Sequence, residues 1–145
     1  MRAFLLAIVI ACVARAEPPH EGLAAVPARL RAPLATATSQ RVWLTWYGEK
    51  NGLTRMKGNA RSFDDVSEFM RALNNLVECP KGPARVVERD RKGGFRVELI
   101  GGRSPAPVLD VAPGDVEFLF KGFELTSTVK VRDLVEFELT FRPSP

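Results

Sequence analysis

Period-two alternation of apolar and polar side chains governs most of the chain after Arg41, and a helical period interrupts it once. In the first run, Val42, Leu44 and Trp46 share one parity while Trp43, Thr45 and Tyr47 share the other. Both faces of this strand are therefore apolar. Asn51-Gly52 follows it, the dipeptide best suited to a type I′ hairpin because both central residues tolerate positive φ. Pairing across that turn sets Tyr47 opposite Met56 and Trp46 opposite Lys57. Strict alternation puts Trp43 and Tyr47 on one side and Trp46 on the other, so one set is expected in the core.

The helical interruption begins at Ser62. Ser62 and Asp65 have capping-box spacing, and Asp64 and Asp65 place negative charge at the positive end of the helix dipole. Phe63, Val66, Phe69, Met70, Leu73, Leu76 and Val77 form one apolar stripe, and Pro80, Gly82 and Pro83 end it. The spacing predicts one amphipathic helix over about 63–78 that covers a sheet.

Strand patterns then resume. Val86–Arg89 and Phe95–Ile100 flank the turn 90–94 as a hairpin, and Val108–Val111 leads into Pro113-Gly114. Runs through Val116–Phe120, Phe123–Val131 and Val135–Phe141 alternate cleanly, with Lys121-Gly122 and Arg132-Asp133 as expected tight connections. The expected fold class is α+β: a mainly antiparallel sheet or small β-sandwich over 41–145, with the helix packed on it. The phrases Ala112–Phe118 and Val129–Phe137 resemble the turn-and-strand segments of secreted β-sandwiches, including cupredoxin-like domains. That resemblance implies a sandwich and nothing of the chemistry, because the copper ligands have no counterpart. A three-stranded sheet followed by a helix like Ser62–Glu78 is similar to the arm domains of phage-type integrases, but an exported chain does not suit a role on DNA.

Export is read from the first residues. Met1-Arg2 is a short positive segment, Ala3–Val13 an apolar run, and Ala14-Arg15-Ala16 a small-x-small cleavage site: a signal peptide over 1–16. The apolar run is too short to span a bilayer, which takes roughly 20 residues. Val9-Ile10-Ala11-Cys12 also looks like a lipobox, which makes lipidation at Cys12 the alternative. Residues 17–40, with Pro18, Pro19, Pro27 and Pro33 among alanines, read as a linker or an N-terminal arm; the Leu30–Leu34 stretch would let that arm lie on the domain. Loss of the leader leaves 19 basic and 17 acidic side chains, a net charge of +2. So mild a balance does not suit nucleic-acid binding.

The inventory of reactive groups is short. His20 is the sole histidine and lies in the Pro-rich stretch, so no Ser-His-Asp or Cys-His pair is suggested. After leader removal Cys79 is the only cysteine, either a buried thiol or the means of a disulfide-linked dimer. No cofactor or metal set is expected. What remains is a non-catalytic binding module of the envelope or extracellular space, an inhibitor or accessory subunit with a protein or glycan partner; a small hydrolase using carboxylates is the alternative. The candidate contact residues are Trp43, Trp46, Tyr47, Arg55 and Lys57, because tryptophan, tyrosine and arginine carry a large share of interface energy. The basic turn with Arg89, Arg91, Lys92 and Arg96 is the second choice.

The leader reading makes a direct prediction. Intact mass of the exported chain should show an N-terminus at Glu17 with no acyl mass; a diacylated or triacylated Cys12 would replace it.

Overall fold

The computed structural model describes residues 21–101 and 105–143, and within them nine strands form two antiparallel sheets. The leader, Cys12 and His20 lie outside the described residues. The elements in chain order are α1 (Glu21–Ala24), α2 (Ala28–Ala37), β1 (Val42–Lys50), β2 (Leu53–Ala60), α3 (Phe63–Asn74), β3 (Leu76–Cys79) and β4 (Gly82–Arg89). They continue with β5 (Phe95–Leu99), β6 (Val108–Val111), a 3-10 turn (Pro113–Asp115), β7 (Glu117–Phe118), β8 (Phe120–Val131) and β9 (Leu134–Pro143). Sheet A has the order β1-β2-β9-β8 and sheet B the order β6-β5-β4-β3-β7. The chain passes between the sheets at Leu119, whose N–H donates to the Leu76 carbonyl at 3.1 Å.

The α+β class and the antiparallel sheet are as expected. The first hairpin turns on Asn51 (φ 57°) and Gly52 (φ 77°), and it pairs Tyr47 with Met56 and Trp46 with Lys57. Helix α3 begins where the capping box places it: Ser62 Oγ accepts from the Asp65 N–H at 3.2 Å. Its buried residues Val66, Phe69 and Leu73 pack on sheet A, with the Phe69 and Phe137 rings 5.6 Å apart. Gly58 makes room on that face, because a Cβ there would come within 2.6 Å of the Phe137 ring. Val135, Phe137, Leu139 and Phe141 of β9 line the same core.

Two local expectations are corrected. Helix α3 ends at Asn74 rather than near Glu78, because Leu76–Cys79 forms a strand that pairs with both β4 and β7. Apolar residues at 76 and 77 fit a helical stripe and a fully buried strand equally well, and ladder hydrogen bonds on both sides favour the strand. Lys121-Gly122 is no tight connection. Gly122 (φ 61°) lies inside β8, where the register against β9 slips between Lys121 and Glu124. Arg132-Asp133, by contrast, does close a β8–β9 hairpin. The described part of the Pro/Ala-rich stretch lies on the core as helices, with Val26, Leu30, Pro33 and Leu34 buried in or beside it. Pro33 breaks the composition signal of a helix without preventing one, since burial of the α2 stripe compensates for a lost hydrogen bond.

Sheet B has its own smaller cluster of Val77, Cys79, Ala84, Val86 and Val97, with Phe95 and Phe118 against it. Helices, not sheet B, cover the inner face of sheet A, so the helix-covered sheet describes it better than the sandwich. Cys79 is 5% exposed and its thiol donates to the Gly82 carbonyl at 3.2 Å. Its position is a buried strand, not a helix end.

The α3 cap is tied to the start of β1 by charge. Arg41 Nε donates to both Asp65 oxygens at 2.9 and 3.0 Å, and Ser62 Oγ reaches Asp65 Oδ2 at 2.9 Å. The Arg41 hydrogen bond, more than the opposing cost of burial, holds the Asp65 carboxyl below its ordinary range. A carboxyl lowered in the folded state stabilises above its unfolded value near 3.9 and loses that contribution as pH falls through the folded value. Urea midpoints should therefore drop in acid more steeply for the wild type than for Asp65→Asn, and equal slopes would remove this pair from the stability balance.

Candidate functional site

Sheet A buries one face only, and the register shows which residues occupy the other. Trp43, Asn59, Glu136 and Val129 lie in one row across the four strands. Trp46, Lys57, Glu138 and Ser127 form the next row, and Gly48, Arg55, Thr140 and Glu124 the third. These twelve positions make a largely polar surface with tryptophans at one side.

Both tryptophans lie on this outer side because of a bulge. The pairing of β1 with β2 slips between Leu44 and Trp46, leaving Thr45 unpaired. One extra residue reverses the parity of everything after it. Trp46 thus joins Trp43 on the outer face, while Tyr47 joins Leu44 and Met56 in the core. This overturns the expectation that Trp43 and Tyr47 oppose Trp46. Gly22 of α1 packs against the backbone of Leu44 and Trp46 beside the bulge. Nothing in the local sequence announces Thr45 as the extra residue.

The two tryptophans differ in exposure. Trp43 is 7% exposed, with the Arg61 guanidinium 5.6 Å from its ring centroid, whereas Trp46 is 45% exposed. Gly48 explains how the Trp46 indole lies. A Cβ at Gly48 would stand 2.6 and 2.7 Å from the indole carbons Cη2 and Cζ2, so the ring rests where a side chain would be. Lys57, directly across on β2, brings Nζ to 5.5 Å from the ring centroid.

Beside Lys57 runs a shallow groove lined by Thr45, Arg55, Asn59, Ser127, Glu136 and Glu138 among others. Arg55 Nε donates to Glu138 Oε1 at 3.1 Å, and Thr126 Oγ1 donates to Glu138 Oε2 at 3.1 Å. The Arg55 hydrogen bond is the main reason that the Glu138 carboxyl stands below its ordinary range, against the cost of burial. The residues are 83 positions apart in sequence, so this pair depends on β2 lying beside β9. Alternation of Glu136 and Glu138 with buried Val135, Phe137 and Leu139 could have marked both glutamates as wet-face residues; their partner strand could not be read.

The remaining candidates are dispersed. Tyr47 is buried, and neither its hydroxyl nor Thr54 Oγ1 has a hydrogen-bond partner among the described residues. In the second-choice turn, the Arg89 guanidinium lies 5.6 Å from the Phe95 centroid and 5.7 Å from that of Phe118. Arg96 bridges Glu88 at 3.4 Å and Asp110 at 3.3 Å. Both arginines are thus occupied by sheet B, and Arg91 and Lys92 stay exposed in the turn. A cleft by this turn is lined by Glu88, Asp90, Lys92, Arg96 and Asp110. Among the described residues no cluster of His, Cys, Asp and Glu could hold a metal ion.

A family model described as fimbrial assembly protein (PilN) matches residues 29–77, about a third of the chain. The matched stretch runs from α2 through β1, β2 and α3 to the start of β3. It therefore contains the bulge, Trp46, Gly48 and Lys57, and it stops before the strands that supply the glutamates. No curated protein and no solved structure matches.

The different burial of the two indoles predicts opposite outcomes. Trp43→Ala should cost about 3 to 5 kcal/mol in urea unfolding, as removal of a buried large aromatic does. Trp46→Ala should cost less than about 1 kcal/mol. Comparable losses at both positions would mean that Trp46 is held as firmly as Trp43.

Proposed function

We propose that the chain is an exported, non-catalytic binding module, an accessory part of an envelope assembly, and that it meets its partner with the outer face of sheet A. The observation that carries this reading is Trp46, 45% exposed on the outer face beside Lys57 and the Arg55–Glu138 pair. A large aromatic left open among polar groups is what recognition surfaces use. The fimbrial assembly (PilN) match over 29–77 and the leader pattern at 1–16 support an envelope setting. No described helix is long and apolar enough to cross a membrane. Trp43 and Tyr47, both buried, act in this reading as scaffold for the face.

The hydrolase alternative has less support. Glu136 and Glu138 do share the groove, but a general acid needs a raised pKa, and Arg55 and Thr126 hold Glu138 in the opposite direction.

Photo-crosslinking in the intact envelope tests the face. A photoreactive residue placed at Trp46 or at Lys57 of the full chain should yield adducts, while one at Val87 or Arg91 on sheet B should not. Adducts from the 89–96 turn alone would move the contact to sheet B, and none from any position would overturn the reading.

A further inference from the structure

We propose that the chain pairs with a second copy of itself along β8, antiparallel and about a two-fold axis at Thr128, so that two A sheets join into one of eight strands.

The first observation is an open edge. β8 ends sheet A, and among the described residues β9 is its only strand partner. Every residue from Glu124 to Val131 is exposed, including Leu125 at 40%, Val129 at 50% and Val131 at 42%. Such an edge presents a row of N–H and C=O groups without ladder partners, a template for another strand. The opposite edge differs, because α1 packs against the β1 backbone: a Cβ at Gly22 would stand 2.8 Å from the Trp46 nitrogen. Between Glu124 and Lys130, β8 carries no charge, and Thr126, Thr128 and Val129 there are β-branched.

The ladder with β9 fixes the faces of β8. Ser127 and Val129 lie opposite Glu138 and Glu136, and Glu124 and Lys121 opposite Thr140 and Arg142, so these four occupy the outer face, with Val131 in phase. Leu125, Thr128 and Lys130 lie opposite Leu139, Phe137 and Val135, on the inner face. One extra residue sits between Leu125 and Ser127 and another between Lys121 and Glu124. Residues opposed across an antiparallel pair share a face, and a two-fold axis makes every contact twice. Centred on Thr128, with each extra residue left unpaired, the pairing sets Ser127 against the second copy's Val129. Leu125 then meets its Lys130, Glu124 meets its Val131, and Lys121 comes level with its Asp133 in the β8–β9 turn.

Charge selects this register from its neighbours. A centre at Val129 would oppose Glu124 to Asp133, and a centre at Lys130 would oppose two lysines. A centre at Ser127 would set Lys121 and Glu124 against valines and join no opposite charges. The Thr128 register pairs Lys121 with Asp133 twice, opposes no like charges and places two threonines together, each a favourable cross-strand pair. Trp46 stays open in this dimer, since β1 is the far edge of sheet A. Self-pairing is therefore independent of the contact-face reading.

Sedimentation equilibrium of the exported full chain should show a monomer–dimer equilibrium with a dissociation constant below about 100 μM, as suits a narrow interface. Lys121→Asp and Asp133→Lys should each weaken it at least tenfold, and the two together should restore it to within about threefold. Unchanged thermal melting shows that each variant is folded. Thr128→Cys, oxidised with copper phenanthroline, should give a disulfide-linked dimer, because the two Cα atoms across the axis fall within disulfide range. Ser127→Cys lies roughly 8 Å from its own counterpart in this register, and it should not cross-link. Val87→Cys on sheet B should stay monomeric as well.

A chain that stays monomeric at all concentrations overturns the proposal. So does a dimer that keeps its affinity in both single charge variants, one that the paired exchange fails to restore, or one that cross-links through Ser127→Cys or Val87→Cys but not through Thr128→Cys. None of these outcomes touches the photo-crosslinks expected from Trp46, which test the contact face separately.

Discussion

One-sided burial of sheet A is the constraint on which the rest of the structure depends. A four-stranded sheet exposes two faces, and this chain covers one across β1, β2 and β9, with α2 and α3 placing Leu30, Leu34, Val66, Phe69 and Leu73 against Val42, Leu44, Phe137 and Leu139, while β8 beyond Phe120 is largely exposed. Burying each such side chain is worth roughly 1.5 to 3 kcal/mol, so the covered face carries most of the driving force. Its phase then dictates what stands on the other side. Where Val135, Phe137, Leu139 and Phe141 must point inward, Glu136, Glu138, Thr140 and Arg142 must point outward. The polar face is thus a consequence of the core as much as a surface in its own right.

Two small features turn that leftover face into a candidate site. The bulge at Thr45 lets Tyr47 enter the core while Trp46 stays outside, an arrangement that unbroken alternation forbids. Gly48 then decides the attitude of the indole, since any side chain there would lift it from the sheet. The mirror case lies under the helix, where Gly58 makes room for the Phe137 ring. In both places an absent Cβ lets an aromatic ring lie against the backbone of the same hairpin.

Charge has two separate uses. Around Asp65 it joins the N-terminus of α3 to the residue before β1, where a half-buried arginine–carboxylate pair reinforces a helix cap. Around Glu138 it fixes the centre of the outer face, with Arg55 and Thr126 holding the two carboxylate oxygens. Sheet B shows a third, more exposed arrangement, in which Arg85 pairs with Glu98 and Arg96 lies between Glu88 and Asp110. Exposed pairs of that kind contribute little stability, and they mark a solvated face rather than a site.

Local chemistry determined a good part of this protein. Asn51-Gly52 encodes its turn because two consecutive positive φ values suit few other residue pairs, and Ser62 with Asp65 encodes a helix start because the orphan N–H groups need a nearby acceptor. Alternation in 135–141 likewise reveals a strand with one wet face. Three things were decided only by tertiary structure. Leu76–Cys79 became a strand because β4 and β7 flank it, α2 formed across Pro33 because a core was there to receive Leu30 and Leu34, and Thr45 bulged beside a packed α1. Each depends on partners distant in sequence. Short apolar runs fit helix and strand alike, and only packing separates them. The candidate site follows the same division: its tryptophans and basic residues were legible in one hairpin, while Glu136 and Glu138 reached it through the pairing of β2 with β9, which no local pattern specifies.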